Sequence, residues 1–533
     1  MKKIEFIFCV VLFAISCSED DENRVVDFNN VVVTGNLLDQ ITDDNIYKIT
    51  HLTISGIISG EDWNILSEMA RMGSLEELDM TNAQIVGTAN VDCWNDDEIP
   101  EYEFSHSKTL KKVFLPHNLK VIGEEAFSNC SNLTTVYFPE EIDSIAPRAF
   151  HKSGLSGDLY LPRVRVIARQ AFSRTDLTKV TISSDIIAGK TIIQKENVSG
   201  DSTDYISIYT VGGNSVFAYC EKLLEVVVEE GCTKLEVGFQ HCTSLSKVVL
   251  PSTLLKIGYE SKSNGNYIFK ECSGLTDISL PDNLLFIGDN TFAKTSLHEL
   301  AIPDNVQHIG SFAFHKCDFL EKIKMPKQLK RIDQGCFEGC TFLTSISIPP
   351  SVTEVESSAF KECSSLKTVF FGGMIKVIGR KAFSGCTHLQ SVILPSEVTT
   401  LMESAFEGCS NLLKVVLPNS LEIIESTTFK DCIALRDLTI GNSVSTIKSS
   451  AFFHCPKLET LTLPNSIIHL DSYAFAYSGL RRVEVSWETP LSVLPNVFGG
   501  INLSKVNLIV PFGKNDIYRQ AEVWKDFGTI TEK

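Results

Sequence analysis

The chain has 533 residues, a formal net charge of −18 at pH 7 and a hydrophobic fraction of 43%. That fraction is ample for a folded core, and the acidic balance argues against a nucleic-acid backbone or an anionic membrane surface as the main partner. No apolar run reaches the roughly 18–20 residues of a spanning helix.

Residues 1–16 read as an export signal. Lys2 and Lys3 supply the positive end, and the stretch from Ile4 to Ile15 is mostly apolar but too short to span. Ala14-Ile15-Ser16-Cys17 resembles a bacterial lipobox, which implies Cys17 as the lipidated first residue of the mature protein. An ordinary secretory signal is the alternative. Ser18-Glu19-Asp20-Asp21-Glu22 follows, and a block of like charge is usually solvated. It resembles the acidic signal that sends lipoproteins of Bacteroidetes-type bacteria to the outer face of the outer membrane; attachment facing the periplasm is the alternative. Residues 17–36 thus read as a lipidated acidic tether. Residues 37–100 read as an N-terminal cap. Leu52 and Ile54, then Leu78 and Met80, have strand spacing, and residues 61–72 suit a helix with Trp63, Leu66 and Ala70 on one face. A capping unit is atypical because its outer face meets water.

Residues 101–511 read as the repeat array, whose regular units begin at Phe104. Phe314, Phe337, Phe360, Phe383, Phe406, Phe429, Phe452, Phe475 and Phe498 stand 23 residues apart. A fixed period of this length marks a stacked array. Each unit ends like Leu389-x-x-Val392-x-Leu394-Pro395, an alternating strand that proline stops. An aliphatic pair and a glycine follow, as in Val377-Ile378-Gly379, then Ala382-Phe383 and a small residue, usually cysteine. One such coil cannot bury its apolar side alone; stacked coils form a continuous core. Their strands pair in parallel about 4.8 Å apart, so about 19 coils give an array on the order of 90 Å long. The motif I-G-x-x-A-F-x-x-C-x-x-L-x-x-V-x-L-P resembles the BspA-like leucine-rich repeats of bacterial surface proteins, also known from treponemal proteins. The resemblance implies an α/β-type leucine-rich-repeat solenoid with one long parallel sheet. It also implies adhesion and host-protein binding, not catalysis.

Eleven of the 16 cysteines follow a repeat phenylalanine by three residues, from Cys130 to Cys455. Ser153, Thr175, Thr295 or Ser478 stands there in other units, so the site wants a small side chain, and free cysteine is one. Parallel side chains near the 4.8 Å strand spacing sit beyond the roughly 3.5–4.5 Å between Cβ atoms that a disulfide needs. A reduced, buried ladder is expected rather than disulfides or a metal site. Cys93 and Cys232 have no place in this scheme.

Two irregularities interrupt the array. Residues 183–216 suggest one degenerate coil with a polar loop, and residues 259–266 a surface loop. Residues 512–533 read as a C-terminal helical cap, with Ile517, Ala521, Trp524 and Phe527 on one face.

No catalytic motif, phosphate loop or metal-ligand spacing is present, and no cofactor is implied. His315, His388 and His454 lie near cysteines but at different places in their units, which suits polar turn residues better than a Cys/His dyad. The outward strand positions are more informative. They hold Phe114, Tyr137 and Tyr160 in three early coils, and Phe370, Ile393 and Val416 in three later ones; elsewhere they are mostly polar, as at Lys324, Glu484 and Asn507. Aligned apolar side chains on an exposed face mark a candidate binding surface, although such residues also simply suit strands. Two partners fit: a host extracellular-matrix or cell-surface protein, or a neutral glycan captured for a surface polysaccharide-uptake system.

Overall fold

Each coil closes on its phenylalanine in the computed structural model, which describes residues 31–34, 37, 41, 45–87, 96–161, 163–183, 192–195, 206–209, 215–258 and 267–533. Coils stacked by translation present their rings parallel. From Phe104 to Phe498 successive centroids are 5.1–6.1 Å apart and the planes within 17°. Leucine, isoleucine and valine from both strand segments surround this column and are fully buried.

Three ladders of backbone hydrogen bonds tie the coils. The first is the expected strand: Ser391–Ile393 pairs in parallel with Lys414–Val416, and that strand with Asp437–Thr439. The second joins the aliphatic pairs after the proline, as in Val377–Ile378 with Thr400–Leu401. The third lies in the turn around the phenylalanine. Phe312, Phe314 and Lys316 donate their N–H groups to the carbonyls of Gln334, Cys336 and Glu338 at 2.9, 2.9 and 2.8 Å. To aim these groups along the array the chain adopts positive φ twice per turn, two residues before and two after the phenylalanine. Phe312 (+57°), Lys316 (+52°), Lys381 (+55°) and Asp431 (+59°) are examples.

The result is a parallel β-solenoid of about 19 turns, with α-helix among the described residues only at Gly60–Met72 and Asn515–Tyr518. The main sheet is not one unbroken ladder. It runs as six parallel segments, whose first and last strands are Val31–Val33 to Thr135–Tyr137, Ser156–Tyr160 to Lys247–Val249, Glu299–Ala301 to Lys322–Lys324, Ser345–Ser347 to Thr368–Phe370, Ser391–Ile393 to Asp437–Thr439, and Thr460–Leu463 to Thr529–Glu532.

Val31–Val33 falls within the stretch read as tether, 17–36, yet it pairs with His51–Ile54 and starts the sheet. The helix expected over 61–72 is Gly60–Met72. Its first turn is fixed by the Ser59 N–H donating to Asp62 Oδ2 at 2.9 Å. Trp63 meets Phe104 edge-on at 6.3 Å, at the first ring of the column. Ser67 and Arg71 donate to the backbone carbonyls of Glu103 and Ser105 at 2.8 and 3.0 Å, clamping the helix to the first regular coil.

Of the segment 183–216, the described strands do not extend the main sheet as a coil. Asp176–Ile182 pairs directly with Glu225–Val228, and Ile192–Lys195 pairs antiparallel with Ile206–Tyr209 outside the array. The loop 259–266, the export signal, Cys17 and Cys93 lie outside the described residues.

The C-terminal helix also fails to form over its expected length. One turn, Asn515–Tyr518, gives way to a 3-10 turn, Trp524–Asp526, and a strand, Thr529–Glu532, parallel to Asn507–Val510. Side-chain contacts decide this: Tyr518 Oη donates to the Trp487 carbonyl at 2.9 Å, and Trp524 Nε1 to that of Leu491 at 2.7 Å. Ile517 is exposed and Tyr518 buried in its place. Trp524 and Phe527 meet Phe498 edge-on at 5.9 and 5.8 Å, closing the column's other end.

Candidate functional site

In-register pairing lines up the outward strand residues in rows. The first row is Val32, Thr53, Asp79, Phe114 and Tyr137. The rings of Phe114 and Tyr137 stack 4.3 Å apart with 5° between their planes. Lys112, in the adjacent outward row, holds its ammonium 4.5 Å from the first centroid and 5.5 Å from the second. Such a contact is worth about 0.5–1 kcal/mol at an exposed site.

Tyr137 is 48% exposed and Tyr160 58%, but Tyr160 does not join the stack. Its strand opens the next sheet segment, where the pairing shifts register between Gly157 and Asp158 and passes over Thr178 of the partner strand. There it leads a separate row with Thr181, Val227 and Val249. The later group also divides. Phe370, 61% exposed, pairs with Ser347, whereas Ile393, 58% exposed, pairs with Val416 and through it with Thr439. The break lies beside Gly372, where a Cβ would stand 2.4 Å from the Pro349 carbonyl oxygen. Asn507 falls one row over, opposite Arg482; Ile509 occupies the place opposite Glu484.

One exposed pair escaped the reading of the strands because it lies before them. Phe319 and Phe342, each five residues after a repeat phenylalanine, stand 6.1 Å apart, with the His298 ring 5.9 Å from Phe319. Their 23-residue separation was the available signal. An open groove of about 730 Å³ lies over Ile278, Ala301 and Lys324. Hydrogen bonds from Lys327 and Lys324 hold the Asp304 carboxyl at its rim below the usual range.

The described cysteines are buried thiols. Cys232, unplaced by the repeat, is among them and donates to the Lys234 carbonyl at 3.2 Å. Burial pushes the thiols of Cys130 and Cys272 up to about 12 and that of Cys317 to about 11, far from the thiolate a nucleophile needs. His388 Nδ1 contacts the Ser364 carbonyl and His454 Nδ1 the Asp431 carboxylate, each at 2.7 Å. His315 Nδ1 lies 3.9 Å from Glu338. Among the described residues no three His, Cys, Asp or Glu side chains gather as a metal site, and no helix is long and apolar enough to cross a membrane.

The sequence profile of the BspA type leucine-rich repeat region matches residues 95–199, 197–265, 262–390 and 365–481. No curated protein matches. Among solved structures, a leucine-rich repeat protein from Bacteroides ovatus is similar at 24% identity over 57% of this chain and 87% of that one, with a TM-score of 0.39. A leucine-rich cell surface protein from Faecalibacterium prausnitzii is similar at 22% identity over 66% and 85%, with a TM-score of 0.34. A leucine-rich repeat protein from Eubacterium ventriosum is similar at 18% identity over 84% and 92%, with a TM-score of 0.31.

Proposed function

The chain belongs to the BspA type leucine-rich repeat family, and from that premise we propose that it is a surface-held, non-catalytic recognition protein. The outward face of its sheet binds a host extracellular-matrix or cell-surface protein. Proteins of this family are associated with cell surfaces and with protein recognition. The observation that carries the reading is the set of exposed apolar rows around Phe114 and Tyr137, Tyr160 and Val249, and Ile393 and Val416. Exposed aromatics set among polar neighbours are the groups that anchor protein interfaces. Phe114 and Tyr137 each give one face to the other and share Lys112, whereas Tyr160 stands outside the stack and is the ring a sugar would meet, so a neutral glycan is the second reading. The N-terminal sequence supplies the anchor: lipid at Cys17, then an acidic tether, facing the cell exterior.

The test is a screen of the soluble form, residues 18–533, against paired arrays of matrix proteins and glycans. Protein hits weakened at least tenfold by Tyr137→Ala with Tyr160→Ala support the reading. Unchanged binding by a folded double variant removes that site, and glycan hits alone move the protein to nutrient capture. For the anchor, Cys17→Ala should abolish fatty-acid labelling, and protease shaving of intact cells should degrade the wild type; full protection would place it inside.

A further inference from the structure

The turns form another side of the coil, away from the outward strand rows. In the coils from Phe150 to Phe314, the five residues centred on each phenylalanine include Arg148, Lys152, Arg174, Lys270, Lys294 and Lys316. Glu271 is the one carboxylate among them. The fold does not demand cations here. In later coils the same positions hold Gly339, Glu362, Gly385, Gly408 and Asp431, all with the same positive φ. The same windows from Phe337 to Phe475 also hold Lys361, Lys381 and Lys430, but there Glu338, Glu362, Glu407 and Asp431 offset them; the unbalanced basic charge between Arg148 and Lys316, in a chain of net charge −18, calls for a ligand rather than a structural cause.

We propose that this turn edge, from Arg148 to Lys316, binds a linear anionic polysaccharide, sulfated or rich in uronic acid, laid along the axis of the array. This site is independent of the sheet-side one. Coil spacings of 5.1–5.8 Å, read from the rings, put its ends on the order of 30 Å apart. The cations form two clusters, Arg148, Lys152 and Arg174, then Lys270, Lys294 and Lys316, on either side of the coils of Phe217 and Phe239, and a long ligand that repeats its charge sugar by sugar can reach both. At the N-terminal end the stripe opens into a groove of about 510 Å³ lined by Asn129, Arg148, His151, Lys152, Gln170 and Arg174, with Glu125 its one carboxylate.

The cations are available. Lys152 and Lys316 are exposed, and no carboxylate among the described residues pairs with either. Arg148 with Glu125 at 3.1 Å and Lys294 with Glu271 at 2.6 Å are surface pairs, worth about 0–1 kcal/mol and readily exchanged for a polyanion. Three histidines sense the shared potential. After burial, Lys152, Arg148 and Arg174 hold His151 below its ordinary value; Lys316, Lys294 and Lys270 act on His315, and Lys270, Lys294 and Arg174 on His241. Glu271 and Glu338 oppose them at His241 and His315, and Glu125 at His151. A single-stranded nucleic acid fits less well, because base stacking needs free aromatic faces. Tyr219, the aromatic in mid-stripe, is covered by Arg174 at 4.6 Å and by the His241 ring at 4.3 Å.

Heparin, polygalacturonate, neutral dextran and a single-stranded oligonucleotide are titrated into the full chain at several salt concentrations. Heparin or polygalacturonate should bind at low salt, with log affinity falling linearly in log salt, and dextran should not bind. Lys152→Ser with Arg174→Ser and Lys316→Ser should weaken binding at least tenfold. A control on the sheet side, Lys322→Ser with Lys324→Ser and Lys327→Ser, should stay within twofold of wild type. Lys152→Ser alone, expected to weaken binding about threefold, serves if the triple variant does not fold. Absent binding at low salt, equal losses from the two triple variants, or tighter binding of the oligonucleotide would each overturn the proposal.

Discussion

The thiol of Cys340 donates a 3.1 Å hydrogen bond to the carbonyl oxygen of Phe314, one coil back. The same oxygen accepts the N–H of Cys317 at 3.2 Å. The thiol bond recurs from Cys363 to Phe337 and on to Cys455 with Phe429. The cysteine is thus a link between coils as well as a small buried residue. Where Ser153, Thr175 or Thr295 replaces it, the hydroxyl turns instead to its own coil's phenylalanine carbonyl, at 2.8–3.0 Å. Cys386→Ala should therefore lower stability by about 1 kcal/mol, the net worth of a buried hydrogen bond. Cys386→Leu should cost more, about 1–3 kcal/mol, by overpacking. Urea denaturation would show it; an alanine variant as stable as wild type would reduce the thiol to a filler.

Gly335 and Phe312 hold equivalent positions one coil apart, with φ of +58° and +57°. A Cβ on Gly335 would lie 2.2 Å from the Phe312 ring. Gly335→Ala should lose roughly 2–3 kcal/mol, part from the left-handed backbone and part from displacing the ring. Gly408→Asn should lose under about 0.5 kcal/mol, since asparagine tolerates that backbone, as Asn129 does at φ +59°. Equal losses in the two variants would refute this account of the turns.

Glu103, beneath the helix Gly60–Met72, buries Oε1 without a hydrogen-bond partner. Burial pushes its carboxyl up to about 8, against the pull of Arg71. The folded chain keeps the proton to that pH, whereas the unfolded chain releases it near its ordinary 4.5. Its contribution is complete below the lower value and is lost as pH rises through the upper one. Wild type should lose roughly 3 kcal/mol between pH 5 and 8.5 from this group. Glu103→Gln should remove that loss, matching wild type at pH 5 and exceeding it at pH 8.5 in urea; parallel pH profiles would discard the mechanism.

Phe383 touches Phe360 at 5.1 Å and Phe406 at 5.2 Å. Phe383→Ala should cost about 3–5 kcal/mol. Because each coil meets only its neighbours, the damage should stay local. Hydrogen exchange should quicken in the coils of Phe360 to Phe406 and hold steady near Phe127. Uniform loss of protection would show the array folding as one unit.

The period made the coil, its core and its outward rows legible, because side-chain alternation and the 23-residue repeat are written in residue types. The two positive-φ columns were not. Gly335, Gly339, Gly385 and Gly408 trace them, but Lys381, Ser404 and Thr427 carry the same backbone; inter-coil hydrogen bonds override local preference there. At the C-terminus a helical pattern was present, but the reach of Trp524 to the Leu491 carbonyl prevailed.

At the site, alternation placed Phe114, Tyr137 and Tyr160 outward, yet a detail of the turn separated the third. Ser153-Gly154-Leu155 is one residue shorter than Cys130-Ser131-Asn132-Leu133. The following strand has one more residue between Leu155 and Leu159 than lies between Leu133 and Val136; its pairing shifts register between Gly157 and Asp158, and a new sheet segment starts. Thr175-Asp176-Leu177, Thr295-Ser296-Leu297 and Ser478-Gly479-Leu480 share the shorter spacing, so hydroxyl and turn length change together. That correlation stood in the sequence, but its meaning depended on which carbonyl each side chain reaches.

Phe172 and Phe217 are 45 positions apart in the chain and 5.3 Å apart in space. The ring column and the sheet therefore pass directly from the coil of Phe172, with Leu177, Val180 and Ile182 buried in it, to the coil of Phe217. A solenoid built this way has a docking port in its own sequence: segments of foreign length and chemistry can be acquired or discarded at a coil corner while the interior stays as it was. Lineages of such proteins can diversify by splicing as readily as by substitution.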